Sequence, residues 1–349
     1  MKYKPFQARY RKRAILAVLL LFGFLVSQSS HAKIVFASKR KDAGDTAYHI
    51  YVMEDNGSNV RRITDPAFYD VNPHWFPDGQ RVVFERDLSR GDGTHFWTEF
   101  VIVDLKPREE YHFMENHRTD MFPRISPDGK RLAFYSNRLK DWHIHVADLE
   151  SGAETAITVK HADLGFPSYM NWSPDGKQLV YLHGENEVGE QIWIMNADGS
   201  RPKRLSHPVA GGINRVLRYP PSWSPSGQFI MYSEVTLTPN FDKVGPTRLI
   251  FQNVRTRQTD IHNFPRDYAI NNGCWINDRI VLLNIKTGAG GIDPEANWEI
   301  YRYDLTSRTL RNLTKDPAND YEPDWISGTL AVFPLDKLTI RWAHLKQPD

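Results

Sequence analysis

The feature that most constrains the fold of this chain is a motif that occurs six times in its 349 residues. Four copies are HWFPDGQRVVF (74–84), RISPDGKRLAF (124–134), NWSPDGKQLVY (171–181) and SWSPSGQFIMY (222–232), and two shorter ones are CWINDRIVLL (274–283) and DWISGTLAVF (324–333). Their anchor residues, Trp75, Ile125, Trp172, Trp223, Trp275 and Trp325, are 50, 47, 51, 52 and 50 residues apart. A period near 50 residues with strand-like content predicts a propeller or a similar array.

Each period contains four short runs of β-branched or aromatic residues separated by turn residues. In the third period these runs are YMNWS, QLVYL, QIWIMNADG and KRLSH. Runs of this kind are typical of strands, and no useful helical periodicity is present after the N-terminal segment. One four-stranded antiparallel sheet per period is a propeller blade, so the sequence predicts an all-β propeller.

The Pro-Asp-Gly segment is interpreted as a turn between the first and second strands. Pro presets φ, Asp hydrogen-bonds its own backbone and Gly accepts a left-handed conformation. The last two copies are two residues shorter between the anchor and the second apolar run. A deletion of two keeps every core side chain on the same face, whereas a deletion of one would reverse them. A structural joint tolerates this change better than a shared chemical site does.

These repeats resemble those of the TolB-like propeller family, with its Trp-Ser-Pro-Asp-Gly signature, over about residues 34–333. The resemblance implies six blades, with the closing blade combining an innermost C-terminal strand (322–326) and outer strands from IVFAS, YHIYVM and VRRIT. Residues 335–349 form a tail, which adds a strand or, in the alternative, begins a seventh blade. TolB itself has an N-terminal α/β domain, for which we expect no counterpart here. A role copied from the Tol–Pal system is therefore not assumed.

The first 32 residues are predicted to be a secretory signal peptide. Six cations precede an apolar run from Ala14 to Val26, and Ser30-His31-Ala32 suits cleavage. An uncleaved membrane anchor is the alternative. Removing six of the 44 basic residues leaves 38 against 42 acidic ones. A mildly acidic chain without a basic run argues against nucleic-acid binding. We therefore expect a periplasmic or secreted, monomeric propeller over residues 33–334, with no membrane span after cleavage.

Long insertions are predicted to share one face of the propeller. The loops 86–97, 183–191, 234–247 and 286–298 each join a second strand to a third, and 207–221 links two blades. All five connections lie opposite the short Pro-Asp-Gly joints. Long loops on a rigid scaffold usually carry binding. Neutral insertions are the alternative. We take Phe96, Trp97, Phe241 and Trp298 as candidate anchors for a protein or peptide partner.

Charged residues recur five positions before four of the anchors, where each innermost strand is expected to begin. They are Asp70, Asp120, Asp320 and, at the matching place in the fourth repeat, Arg218. An acidic rim around the channel could steer a basic partner or hold a divalent cation. The structural alternative is that each Asp caps the turn that leads into its strand.

Known catalytic motifs are absent from the sequence, which has no GxSxG, HExxH, P-loop or CxxC. His143 and His145 share one face of a predicted strand but have no evident third ligand, so we interpret them as structural. The single cysteine, Cys274, is interpreted as a small buried strand residue. The leading hypothesis is therefore a non-enzymatic, partner-binding propeller without a cofactor. The alternative is an enzyme acting on a carbohydrate or lactone in the central channel, with a divalent metal on the Asp rim.

Overall fold

The computed structural model describes residues 33–40, 47–65, 67–88, 97–113, 118–158, 166–185, 189–207, 215–238, 240, 243–288 and 297–328. Within these ranges every regular element is a β-strand and no helix is present. It follows that they contain no helix long and apolar enough to cross a membrane. The predicted signal peptide (1–32) and C-terminal tail (335–349) lie outside these ranges, so both stay predictions.

The strands form six antiparallel sheets, numbered here as blades in chain order. Blade 1 contains β4 (Tyr69–Trp75), β5 (Arg81–Asp87), β6 (Thr98–Leu105) and β7 (Arg108–Phe113). Blade 2 contains β8 (Asp120–Ile125), β9 (Arg131–Leu139), β10 (Asp141–Asp148) and β11 (Glu154–Ala156). Blade 3 contains β12 (Phe166–Trp172), β13 (Gln178–Glu185), β14 (Gly189–Asn196) and β15 (Lys203–Arg204).

Blade 4 contains β16 (Arg215–Arg218), β17 (Ser222–Trp223), β18 (Phe229–Leu237), β19 (Lys243–Asn253) and β20 (Thr259–Phe264). Its inner strand is split in two because Pro220 and Pro221 cannot donate to the ladder. Blade 5 contains β21 (Ala269–Asn277), β22 (Ile280–Lys286), β23 (Trp298–Asp304) and β24 (Leu310–Asn312). Blade 6 combines β25 (Asp320–Ile326) with β1 (Lys33–Ser38), β2 (His49–Glu54) and β3 (Arg61–Arg62).

The six blades form a closed ring around a central channel. Each inner strand contacts the inner strands of the two neighbouring blades, from β4 through β8, β12, β17 and β21 to β25 and back. Blade 6 closes the ring by pairing β25 with β1, which places Trp325 opposite Ile34. The prediction of a six-bladed propeller closed by both ends of the chain is confirmed for the described residues.

The core consists of apolar layers between adjacent blades. Between blades 1 and 2, for example, Phe100 and Phe134 meet edge to face with ring centroids 5.5 Å apart. Comparable clusters fill the other five interfaces. Since each blade buries its faces only against its neighbours, the ring is rigid enough to hold its inner strands in fixed positions.

The Pro-Asp-Gly segments are the joints that the sequence predicts. In blade 1 the Asp78 carboxylate accepts hydrogen bonds from the backbone N–H groups of Gln80 (2.8 Å) and Arg81 (3.1 Å), and Gly79 has φ of 64°. The joint connects β4 to β5 on the face opposite the long loops. The Asp78 carboxylate and the Gly79 backbone thus form the turn itself. The motif is therefore explained by local structure and does not indicate a shared chemical site.

Candidate functional site

The channel lumen is lined by the residue that directly precedes each anchor. Five of these side chains surround a cavity that opens to solvent, namely His74, Arg124, Asn171, Cys274 and Asp324. Tyr169, Asn272 and Glu322, three residues before their anchors, also line it. These positions carry no recurrent residue type, so the repeats of the sequence do not indicate them. The residue type differs from repeat to repeat, while the position is constant.

The inner strands carry β-bulges just before the lumen positions. The register shifts between Val71 and His74 in blade 1 and between Met121 and Arg124 in blade 2. At these bulges Asn72, Phe122, Tyr169 and Glu322 adopt left-handed φ values of 47–58°. Such conformations are uncommon for residues other than glycine and cost about 1 kcal/mol or more. Bulges of this type re-aim side chains, here toward the channel and the neighbouring blade.

Hydrogen bonds between blades hold the lumen side chains in place. Asp324 of blade 6 accepts from the backbone N–H of Trp75 at 2.8 Å, and Glu322 accepts from that of Asn72 at 2.6 Å. His74 Nδ1 accepts from the backbone N–H of Ile125 in blade 2 at 3.4 Å. The His74 proton is therefore on Nε2, which lies 3.8 Å from Asp324 Oδ2.

Burial sets the electrostatics of the lumen. It lowers the pKa of His74, and nearby Asp324 only partly opposes this, so the imidazole is neutral at neutral pH. Burial also lowers the pKa of Arg124 and raises the pKa of Glu322. Cys274 lines the lumen and also packs, partly buried, against the apolar cluster between blades 5 and 6. Burial holds the pKa of its thiol well above the usual value, which disfavours the reactive thiolate.

The residues of the predicted rim are buried within their own blades. The Asp70 carboxylate is fully buried and accepts from Arg86 Nε (2.8 Å) and Nη2 (3.0 Å) on the neighbouring strand. Asp120 forms an ion pair with Arg138 (2.7 Å), and Asp320 forms one with Arg40 (2.8 Å). These three carboxylates do not line the cavity. Their predicted role in steering a partner stays a prediction.

Blade 4 uses the same pairing with the charges reversed. Arg218, at the position of Asp70, lies opposite Glu234 and donates to it at 3.1 Å. Its guanidinium also donates to the backbone carbonyl of Glu190 (2.9 Å) and to Gln191 Oε1 (3.0 Å) in blade 3. A reversal of sign at a conserved geometry is expected of a cross-strand ion pair that stabilises a blade. It explains why Arg218 occupies an otherwise acidic position.

Aromatic side chains from three blades meet at the channel mouth on the long-loop face. This mouth cluster comprises Trp298 (blade 5), Tyr321 and Tyr48 (blade 6) and Tyr69 (blade 1). The ring centroids are 5.6 Å apart for Trp298 and Tyr321, and 5.5 Å apart both for Tyr321 and Tyr48 and for Tyr48 and Tyr69. Burial raises the pKa of Tyr321 to about 12, so its hydroxyl is uncharged at neutral pH.

The mouth cluster is open to solvent on the side of blade 1. Tyr69 is 39% exposed and the adjacent Phe68 is 38% exposed. Phe68 lies over the Arg86 guanidinium, with its ring centroid 4.2 Å away. The face of Tyr48 is covered by Lys39, whose Nζ is 4.6 Å from the ring centroid. The cluster thus combines apolar rings with nearby cations, a composition common in protein interfaces.

Only one of the four predicted aromatic anchors is seen to join this cluster. Trp298 begins β23 and packs on Tyr321. Trp97 is partly buried at the end of the β5–β6 connection, where its carbonyl accepts from Leu88 N at 2.9 Å. Phe96 and Phe241 lie outside the described residues. Tyr48, Tyr69 and Tyr321 were not predicted, because they lie in or beside strands and not in long loops.

The histidine pair interpreted as structural is buried in β10. Burial and the nearby Arg138 guanidinium lower the pKa of His145 to about 3, and burial lowers the pKa of His143. In the part of the chain that the structure describes, no group of three or more His, Cys, Asp or Glu side chains is arranged to hold a metal ion. The rim carboxylates that would serve the metal-dependent alternative each bind an arginine instead.

Comparisons with known sequences give partial matches. Residues 76–220 match the family described as the dipeptidyl peptidase IV N-terminal region. An uncharacterized protein of Agrobacterium fabrum (strain C58) is 31% identical over 107 residues, which is 31% of this chain and 33% of that protein. The uncharacterized peptidase YuxL of Bacillus subtilis (strain 168) is 27% identical over 157 residues, 45% of this chain and 21% of YuxL. The matches thus span a third or less of these relatives.

Comparisons with solved structures agree on the fold. TolB from Acinetobacter baumannii superimposes with a TM-score of 0.60 and 17% identity, covering 92% of this chain and 74% of TolB. A putative TolB from Agrobacterium tumefaciens gives a TM-score of 0.58 and 16% identity, covering 85% of this chain and 98% of that protein. The chain is therefore an all-β, six-bladed propeller of the TolB-like architecture. Fold likeness at this identity does not extend to function.

Proposed function

We propose that this protein is an exported β-propeller that binds a protein or peptide partner at the channel mouth on its long-loop face. The mouth cluster carries the proposal. Aromatic residues of mixed exposure, contributed by three blades and held by a rigid ring, are the usual anchors of a binding surface. The partial matches to the dipeptidyl peptidase IV N-terminal region and to the uncharacterized peptidase YuxL support a role in handling polypeptides.

Export is inferred from the basic, apolar and small-residue segments of residues 1–32. We expect the protein from its native host to begin at Lys33. N-terminal sequencing, or the intact mass of the purified protein, measures this directly. A chain that retains residues 1–32 in a membrane fraction would instead support the anchor alternative.

Photo-crosslinking tests the position of the partner site. A photoreactive phenylalanine analogue at Tyr69 is expected to yield one dominant protein adduct in intact cells. Tyr111 and Ile261 provide matched controls. Each is 38% exposed, a fraction similar to that of Tyr69, but each lies on the outermost strand of a blade. Adducts of equal yield at all three positions, or none at Tyr69, would contradict the proposal.

Alanine substitution then measures the contribution of the rings. For the partner identified by crosslinking, Trp298→Ala and Tyr69→Ala are each expected to weaken binding about tenfold or more, the effect of losing a central aromatic anchor. Tyr111→Ala, at an equally exposed tyrosine, is expected to change the Kd less than about twofold. Titration calorimetry gives both values, and thermal unfolding shows whether each variant is folded.

A further inference from the structure

Opposite charges face each other across the lumen without pairing. Arg124 lies on blade 2, whereas Glu322 and Asp324 lie on blade 6, and all three line the same cavity. Among the described residues, Arg124 forms no ion pair within 4.0 Å. Among the same residues, its guanidinium donates one hydrogen bond, from Nη1 to the backbone carbonyl of Pro123 at 2.8 Å. The remaining guanidinium donors are therefore available to the cavity.

The blade 6 side of the lumen offers acceptors in return. Glu322 and Asp324 each use one carboxylate oxygen to accept a backbone N–H of blade 1. Within the described part of the chain, their second oxygens have no hydrogen-bond donor. Asn272 of blade 5 adds a buried amide oxygen, Oδ1, that also lacks a donor. Three acceptor oxygen atoms on blades 5 and 6 thus share the cavity with one guanidinium on blade 2.

The ring keeps these groups apart. Opposite charges at low dielectric attract strongly, and a flexible site would let them collapse into a buried ion pair. Here the inter-blade hydrogen bonds of Glu322 and Asp324 and the rigid inner strands prevent that collapse. Asn272 Oδ1 is fully buried without a partner among the described residues, which costs about 1–3 kcal/mol, so a ligand that donates to it and also pairs with the charged groups would gain affinity.

We propose that the lumen binds a small zwitterion, a free α-amino acid or the ends of a short peptide, with its carboxylate on Arg124 and its ammonium group among Glu322, Asp324 and Asn272 Oδ1. The wall between the two charged regions is neutral and includes Asn171 and Gly273. The residues that line this site do not include those of the mouth cluster, and the proposed ligand does not require the protein partner.

Three related probes separate the contributions of the two charges. We expect dialanine to bind the purified protein about tenfold or more tightly than N-acetyl-dialanine, which lacks the ammonium group. Dialanine amide, which lacks the carboxylate, is expected to bind similarly weakly. Calorimetry or ligand-observed NMR measures each Kd. Free alanine, tested alongside, distinguishes an amino-acid site from one that needs a peptide.

Substitutions assign each charge to its wall. Arg124→Gln is expected to weaken dialanine binding to the level of the amide while leaving the amide unaffected. Arg124→Lys, which keeps the positive charge, is expected to retain part of the affinity. Glu322→Gln still accepts the Asn72 N–H and is expected to weaken dialanine to the level of the acetylated probe. Arg279→Gln, at an exposed surface pair, serves as the control.

Some results would overturn the zwitterion site. They are no dialanine binding up to about 10 mM, equal Kd values for all three probes, or unchanged dialanine binding by a folded Arg124→Gln variant. Each outcome is independent of crosslinking at Tyr69, because the lumen probes are tested on purified protein. Failure of the lumen proposal would therefore leave the partner site untouched, and the reverse also holds.

Discussion

Replacement of Arg86 by alanine is expected to lower the free energy of unfolding by about 3–5 kcal/mol, because it leaves the Asp70 carboxylate buried without its cation. Both side chains are essentially inaccessible to solvent, and two hydrogen bonds join them. Burial already raises the pKa of Asp70, and Arg86 is the main group that opposes this rise. Urea unfolding of the purified variant measures the loss.

The pH dependence of this loss has a definite sign. Without Arg86, the pKa of Asp70 in the folded state rises further above its unfolded value, so the folded state binds the proton more tightly. The destabilisation should therefore be smaller near pH 5 and grow as pH rises through the new folded pKa. A penalty that stayed constant across this range would show that lost packing, including that of Phe68 on Arg86, dominates instead.

Arg279→Ala provides the matched control. Arg279 also donates to an aspartate, Asp304 (2.8 Å), but its side chain is 61% exposed. Exposed pairs contribute little because water screens them, so we expect no measurable change in the unfolding midpoint.

Blade 4 suggests a second test. The double exchange Asp70→Arg with Arg86→Glu copies the Arg218–Glu234 arrangement and should recover part of the stability lost by Arg86→Glu alone.

Gly199→Ala is expected to destabilise the protein by about 2–4 kcal/mol, through steric overlap combined with a strained backbone. Gly199 lies in the turn between β14 and β15, with φ of 80°, and a Cβ there would be 2.1 Å from the backbone carbonyl oxygen of Ile157 in blade 2. Because backbone cannot rotate away as a side chain does, the turn would have to leave the neighbouring blade. Chemical denaturation measures the change.

Gly245 separates the two causes. Its φ of 76° is similarly left-handed, but a Cβ at Gly245 would meet no atom of the described residues within 4 Å. Gly245→Ala should therefore carry only the conformational cost, about 1–2 kcal/mol. The difference between the two variants measures the blade-to-blade contact alone. Equal losses at both positions would show that the close approach of Gly199 to Ile157 contributes nothing.

The architecture was predictable because its signals are local and repeated. The spacing of the anchors, the strand-like runs and the turn chemistry around Asp78 all act within one blade. Closure by the two chain ends followed from the family resemblance, and the pairing of Trp325 with Ile34 confirms it. The split of the inner strand in blade 4 also has a local cause in Pro220 and Pro221.

The candidate site was predictable only in part. Of the mouth cluster, Trp298 was among the predicted anchors, whereas Tyr48, Tyr69 and Tyr321 were not. The recurrence of Asp70, Asp120 and Asp320 pointed to a channel rim, but recurrence here reflects a stabilising pair needed in several blades. The lumen residues do not recur in type. His74, Arg124 and Asp324 occupy equivalent positions in their repeats but differ in side-chain chemistry.

The sequence by itself determined the blade, its four strands, its joints and the number of repeats, because each depends on hydrogen bonding and side-chain parity among neighbouring residues. Only the tertiary structure decided which side chains share the channel. Arg124 and Glu322 are nearly 200 residues apart, and ring closure alone brings them to one cavity. Whether two such distant side chains lie close together depends on the packing of all six blades, and no local sequence pattern encodes that packing.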